Sequence, residues 1–279
     1  MTDHARLLPL AQEAVDLAHD LMRTLQPGAL TFKGDRDMAS EVDYAIERAV
    51  REHLAATAPD IGFLGEEYGG SGDATELTWA LDPVDGTVNF VHGSPLCAIS
   101  LGLLHGTDAV LGVIDLPFLG TRYHAVQGHG AYADNRRICA SQVTDLRDAV
   151  VAIGDYAVGA DASRKNAERL AITEQLTRHV QRIRMHGSAA IDLAWLAQGR
   201  IDAFIMLNNK PWDTVAGVVI AREAGALVVD VDGTPHSAHA VATIGGNELL
   251  LPPVLTLVQR SLARAEGMTG LPPHPADPH

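Results

Sequence analysis

Asp82 and Asp85 lie three residues apart in the segment Trp79-Ala80-Leu81-Asp82-Pro83-Val84-Asp85-Gly86-Thr87-Val88-Asn89-Phe90. The apolar lead predicts a strand over 78–81 that ends in both carboxylates, and Pro83 and Gly86 predict a turn there. Two anions held this close repel each other, an arrangement that makes most sense with a divalent cation between them. The bland alternative is an acidic turn, since Asp-Pro and Asp-Gly are common turn pairs. An enzyme with an aspartyl nucleophile would carry Asp-x-Asp-Gly-Thr, whereas here the spacing is Asp-x-x-Asp. A calcium loop would need oxygen ligands at alternating positions, which Pro83 and Val84 interrupt. What remains is a metal cluster that activates water without a covalent intermediate.

Two further acidic elements point the same way. Ile61-Gly62-Phe63-Leu64-Gly65-Glu66-Glu67-Tyr68-Gly69-Gly70 reads as a short strand ending in two glutamates and a glycine loop. Adjacent residues of a strand face opposite ways, so only one glutamate can ligate the same metal and the other is left to hold water or a hydroxyl. By itself the pair reads better as a solvated surface feature. Pro211-Trp212-Asp213-Thr214 opens an apolar helical run ending at Gly225. Asp213 is placed to cap that helix, and an aspartate there can also bind a metal.

Glu66-Glu67, the block Asp82 to Phe90 and Trp212-Asp213-Thr214-Val215-Ala216-Gly217 together resemble the three signatures of the inositol monophosphatase family, in the same order and at fitting separations. The resemblance runs from about residue 5 to about residue 265. It includes Lys33, Asp37, Asp43 and the stretch Met185-His186-Gly187-Ser188-Ala189-Ala190-Ile191-Asp192-Leu193, which is most like the actinobacterial branch. It implies an α+β fold, a layered αβαβα sandwich of two lobes with the metal site between them. Residues 1–145 would form the lobe with most ligands, residues 146–266 the lobe with Asp213 and the substrate contacts, and 267–279 a disordered tail.

The implied activity is Mg2+-dependent hydrolysis of a small phosphate monoester, inositol 1-phosphate first. Histidinol phosphate and fructose 1,6-bisphosphate are same-fold alternatives. A 3′-phosphonucleotide is disfavoured, because that branch has Lys-Gly-Phe where this chain has Val88-Asn89-Phe90. A non-catalytic binding or regulatory relative is disfavoured because every carboxylate ligand position is filled. Glu66, Asp82 and the Val84 carbonyl would hold one magnesium, and Asp82, Asp85 and Asp213 the second, with Asp82 bridging. Glu67 and Thr87 would orient the attacking water, with Asp43 behind Thr87 and supporting a third, weaker ion. The bland alternative for Asp43 is ordinary polarity on a helix face, and Lys33 reads equally as a charge-balancing group or a surface lysine. Asp85, Gly86, Thr87, Gly187, Ser188, Ala189 and Asp213 would face substrate. Relatives grip inositol hydroxyls with a glutamate seven residues before the Trp-Asp aspartate, and that position here is Met206, whose thioether accepts no strong hydrogen bond. Either Asn208 or Asn209 substitutes for it, or the preferred ester differs. The resemblance also implies lithium sensitivity and a homodimer.

Composition agrees with a compact enzyme. The chain has 279 residues, is 47% hydrophobic and carries a formal charge of −14, which argues against nucleic acid or an anionic membrane as partner. A phosphate substrate remains compatible, because bound cations reverse the local field. No basic, apolar leader opens the sequence and no apolar run approaches about 20 residues, which leads to the expectation of a cytoplasmic protein. Cys97 and Cys139, the two cysteines, stand at no zinc spacing and read as free thiols, Cys97 buried.

Helical periodicity predicts helices over 5–26, from a Ser40 cap to residue 58, and over 163–180, 189–199, 213–225 and 248–265. Strands are expected at 61–64, 97–104, 109–116, 122–127, 150–153, 183–185, 202–207 and 227–230, with a hairpin at Asp232-Gly233. The interleaving favours layered α+β over a doubly wound sheet. Gly128-His129-Gly130-Ala131-Tyr132-Ala133 has dinucleotide-binding spacing, but Asp134-Asn135-Arg136-Arg137 follows it in place of a helix, so it reads as a strand turn. The proline-rich tail 270–279 is expected to be disordered, with His274 and His279 solvated.

Overall fold

The computed structural model describes residues 4–34, 37–71, 76–159 and 161–269. The side chains of Lys33 and Asp37 and the tail 270–279 lie outside that set.

Helix α1 (Leu8–Thr24) is followed by a hairpin of β1 (Leu30–Gly34) and β2 (Asp37–Ser40), then by helix α2 (Glu41–Thr57). Ser40 caps α2 as its sequence predicts: Val42 N–H donates to Ser40 Oγ at 3.2 Å, while the Ser40 N–H and hydroxyl donate to Asp43 Oδ2 at 3.0 and 2.5 Å. Next come β3 (Gly62–Gly65), β4 (Gly69–Ser71), β5 (Leu77–Asp85), the short α3 (Thr87–Val91), β6 (Ala98–His105), β7 (Asp108–Leu116), β8 (Thr121–Val126), β9 (Ala131–Ala133) and β10 (Arg136–Arg137). These form an eight-stranded sheet in the order β10-β9-β8-β7-β6-β5-β3-β4, antiparallel but for the parallel β3–β5 pair.

The second half supplies β11 (Val150–Ile153), α4 (Ala162–His179), β12 (Arg182–Arg184), α5 (Ala189–Ala197), β13 (Ala203–Leu207), α6 (Pro211–Glu223), β14 (Leu227–Val229), β15 (Ala242–Gly246) and α7 (Leu251–Thr269). Its five strands form a mixed sheet ordered β12-β11-β13-β15-β14.

Three apolar clusters fill the gaps between layers. The first joins the inner stripes of α1 and α2 (Ala11, Val15, Ile46, Val50) to Trp79, Leu81, Leu101 and Leu103 of the large sheet. On the other face of that sheet Ile114 and Tyr123 meet α5 and α6, which also cover Phe204 and Val228 of the small sheet. The far face of the small sheet (Val151, Ile205, Ile244) is sealed by Ile172 and Leu176 of α4 and Val254 and Val258 of α7. The layers therefore run helix, sheet, helix, sheet, helix, the αβαβα sandwich that was expected. No helix among the described residues is long and apolar enough to cross a membrane.

Most element boundaries agree with the sequence to within about three residues, the scatter expected of helix and strand ends. The 230–234 turn also forms, with Asp230 N–H donating to Thr234 O at 2.9 Å. The β1–β2 hairpin, α3 and β15 were not expected; β15 is an inner strand whose Ala-Thr-Ile-Gly-Gly sequence has too few apolar side chains to announce itself. The 128–133 glycines do make a strand turn: Gly128 and Gly130 donate their N–H groups to the Glu223 carboxylate at 2.8 and 2.7 Å.

Candidate active site

Strand β5 does not stop at Leu81 but continues through Asp85. Residues three apart on an unbroken strand face opposite sides. Here the pairing slips: Asp82 faces Ser100 and Asp85 faces Ala98, so one extra residue is inserted on β5. Ser100 and Ala98 are two apart, and the bulge thus brings both aspartates to one face. Pro83, which has no N–H to give to a ladder, lies within the insertion. Val84 N–H donates to Asp82 Oδ1 at 3.0 Å.

Gly86 then turns the chain with φ of +90°, and a side chain there would press on Leu96 O and Gly187 O. Thr87 Oγ1 follows, 3.0 Å from both Asp43 Oδ1 and Val84 O, with one hydrogen to donate between them. Asn89 Nδ2 donates to Leu96 O and His186 O at 2.8 and 2.7 Å, tying this turn to the 186–188 loop. From that loop Ser188 caps α5, and its hydroxyl donates to Asp85 Oδ2 at 2.5 Å, beside Ala190 N–H at 2.6 Å. The Ser188 hydroxyl, expected to face substrate, is engaged with Asp85.

Glu66 closes the cluster from the β3 side, where its N–H donates to Leu81 O at 3.2 Å. Asp213 arrives from α6. It caps the helix, accepting Lys210 N–H at 2.9 Å, and its position is set by close helix packing. Side chains at Gly102 and Gly112 of the large sheet would overlap Val215 and Ala216, and one at Gly217 would overlap Leu193 of α5.

These elements enclose a cavity of about 200 Å3 lined by Glu66, Asp82, Val84, Asp85, Gly86, Thr87, Gly187, Ser188, Ala189, Met206 and Asp213, all expected from the sequence. Gly154, Asp155 and Asp192 complete the lining and were missed. Gly154-Asp155 merely follows a strand and carries no spacing signal. Asp192 is held by His186, whose Nδ1 lies 2.5 Å from Asp192 Oδ1. Asp43 and Glu67 stand outside the wall, Asp43 behind Thr87. Neither Asn208 nor Asn209 lines the cavity. Asn208 takes a left-handed φ of +60° and Asn209 donates to Ala240 O at 3.2 Å.

Burial and mutual repulsion dominate the electrostatics. Burial raises the Asp82 pKa well above the usual carboxylate value, and Glu66, Asp85, Asp213 and Asp43 raise it further. Asp85 is pushed up to about 7, chiefly by burial and then by Asp213 and Glu66, against the bonds from Ser188 and Ala190. Burial also raises Asp43, against its bonds to Ser40 and Thr87, and lifts Asp192 to about 6 against His186. The Cys97 thiol, buried behind the turn, is pushed up to about 12 and stays protonated; Cys139 is free and exposed.

Six acids line one cavity with no lysine or arginine on its wall, and four of them, Glu66, Asp82, Asp85 and Asp213, form a set of hard oxygen donors that suits a hard divalent cation. Among the described residues no three His, Cys, Asp or Glu side chains stand close enough to hold an ion as they are. Asp82, Asp85 and Asp213 each place an oxygen on a chain donor, so a ligand set requires side-chain rotation about these fixed backbone positions. The repulsion among them is the stronger guide, and the donor set fits.

The profile described as "Inositol monophosphatase family" matches residues 7–263. The chain belongs to the inositol monophosphatase family. It is accordingly a phosphoric monoester hydrolase. Inositol-1-monophosphatase ImpA of Mycolicibacterium smegmatis is 38% identical over 76% of this chain and 76% of its own length. Fructose-1,6-bisphosphatase/inositol-1-monophosphatase of Thermotoga maritima is 34% identical over 84% of this chain and 87% of its own. Among solved structures, the inositol monophosphatase of Anabaena superposes with a TM-score of 0.82 at 30% identity, covering 93% of this chain and 97% of that one. Thermotoga maritima IMPase TM1415 gives 0.84 at 29% identity, covering 94% and 99%.

Proposed function

We propose that this inositol monophosphatase family member hydrolyses inositol 1-phosphate, with Mg2+ as cofactor and water as nucleophile. The observation that carries the reading is the β5 bulge, which brings Asp82 and Asp85 to one face of a cavity shared with Glu66 and Asp213. Glu66, Asp82, Asp85, Asp213 and the Val84 carbonyl would hold two ions, with Asp82 common to both and Asp43 supporting a third. When bound, the ions supply an acidified water and neutralise charge on the departing alkoxide.

The chain's own groups do the aiming. Thr87, its hydroxyl proton donated to Asp43, offers an oxygen lone pair to the attacking water. Glu67, one residue beyond Glu66 and outside the cavity wall, would help Thr87 orient that water. Asp85, seated on the N-terminus of α5, keeps its charge fixed while Gly187 and Ala189 meet the polyol. Asp213 and Gly86 bound the leaving-group side. The polyol end of the cavity is built from Met206, Gly154 and Asp155, and Met206 is where the substrate preference is decided. The two lobes, meeting near residue 145, would carry the site between them. A homodimer, checked by light scattering, and inhibition by lithium belong to the same reading.

Phosphate release with Mg2+ from inositol 1-phosphate, histidinol phosphate, fructose 1,6-bisphosphate and glycerol 2-phosphate tests it. Turnover of inositol 1-phosphate that disappears with EDTA is expected. Turnover of the bisphosphate alone would replace the substrate, and turnover of none would overturn the activity.

A further inference from the structure

Helix α2 carries two acids one turn apart, Asp43 and Glu47, both wholly buried. Asp43 reaches Thr87. Glu47 turns to the other loop of the site: its Oε2 accepts Glu67 N–H at 2.7 Å and its Oε1 accepts Tyr68 N–H at 3.1 Å. Arg51, one further turn along, donates to Glu47 Oε1 at 2.7 Å and to Gly69 O at 2.8 Å. Its guanidinium also lies over the Phe63 ring, 4.5 Å from the centroid. One helix face therefore grips the entry, middle and exit of the segment that carries Glu66. Gly65 belongs to the same device, since a Cβ there would overlap the Glu47 carboxylate.

A buried ion pair alone is a poor stabiliser, because desolvation offsets its attraction. The Glu47–Arg51 pair differs in spending its oxygens on loop amides.

We propose that Glu47 is a positioning residue, and that α2 is a strut whose two acids set the spacing between the Glu66 loop and the Asp82–Thr87 turn. The spacing in turn sets how tightly the site holds its divalent cation. This rests on the reading of Glu66 as a metal ligand.

Glu47→Gln keeps the volume but aims an amide NH2 at a backbone N–H or at Arg51. Hydrogen exchange at the Glu67 and Tyr68 amides is expected to quicken by roughly tenfold, the loss of about one hydrogen bond, with α2 core amides unchanged. Mg2+ binding by calorimetry should weaken by about the factor that a supporting partner contributes, roughly 10–100-fold. In turnover the half-saturating Mg2+ concentration should rise while kcat at saturating Mg2+ stays within a few-fold. Gly65→Ala displaces the same carboxylate from the other side and should reproduce the pattern, which keeps the test readable should Glu47→Gln fold poorly. Faster exchange with unchanged Mg2+ affinity in either folded variant, or unchanged exchange in both, would overturn the positioning role. Wild-type protein that binds Mg2+ yet hydrolyses no ester would defeat the phosphatase reading alone, since calorimetry and exchange still report on Glu47.

Discussion

The two walls of the cavity are built by opposite means. On the acidic wall every functional residue has a second fastening: Glu66 through its N–H to Leu81 O, Asp82 to Val84 N–H, Asp85 to Ser188 and Ala190, and Asp213 to Lys210 N–H. On the polyol wall Met206 rests against Gly154, where a Cβ would stand 3.2 Å from Met206 Cγ, and the chain leaves through the left-handed Asn208. Holding like charges together in a buried place requires that each be bonded in its orientation, because repulsion would otherwise scatter them. Shaping a pocket around a leaving group requires only packed volume, which one substitution can alter. On the proposed reading the chemistry is thus distributed over many elements, and substrate preference is concentrated in few.

Removing one charge from the acidic wall should have the largest effect. Asp82→Asn should lower turnover by more than about 100-fold, beyond the loss typical of a partner behind a ligand, with the fold intact by circular dichroism. Activity within about tenfold of wild type would remove Asp82 from the bridging position. One step back from the wall the loss should be smaller. Asp43→Asn leaves Thr87 without its charged partner and should lower kcat by roughly 10–100-fold with KM little changed. A change in KM alone would place Asp43 on the substrate side.

The acidic wall was legible because its carboxylates sit beside Pro83, Gly86, Gly65 and Pro211, residues that leave a mark in sequence. The bulge that aligns Asp82 with Asp85 was not, since register is a property of two strands and Ser100 and Ala98 gave no hint of it. Glu47 carries no motif or spacing signal of its own, although it falls in the buried phase of α2 with Val42, Asp43, Ile46, Val50 and Leu54. Gly154, Asp155 and β15 went unseen for a similar reason: their roles come from what a distant segment places opposite them. The αβαβα layering was read through the family resemblance more than through periodicity, because α5 and α6 are apolar nearly all round and announce no single buried face.

On the polyol wall the expected effect is modest and selective. Met206→Glu should lower KM for inositol 1-phosphate by up to roughly tenfold, as one charged hydrogen bond partly offset by desolvation would do, and leave glycerol 2-phosphate nearly unchanged. A large rise in KM from Asn208→Ala, with no gain from Met206→Glu, would move the polyol contact to the loop.

The smallest effect is on stability. Asp82 and Asp85 titrate above the usual carboxylate value in the folded chain. Between about pH 4 and pH 7 the folded state therefore binds more protons than the unfolded state, and stability falls as pH rises through that window. With EDTA, Tm should be a few degrees lower at pH 7.5 than at pH 5, at about 2–4 °C for each kcal/mol. Mg2+ should restore it at pH 7.5, and Asp82→Asn should flatten the slope. A Tm in EDTA that rises over this range would mean that the acidic wall is not strained by its own charge.

The central claim is that four acids from three elements, the β3 end, β5 and α6, hold two cations with Asp82 shared. Anomalous diffraction from crystals soaked in Mn2+ tests it directly. Two peaks are expected in the cavity, one bounded by Glu66, Asp82 and the Val84 carbonyl and the other by Asp82, Asp85 and Asp213. No peak there, or a single peak that Asp82 does not touch, would contradict the account.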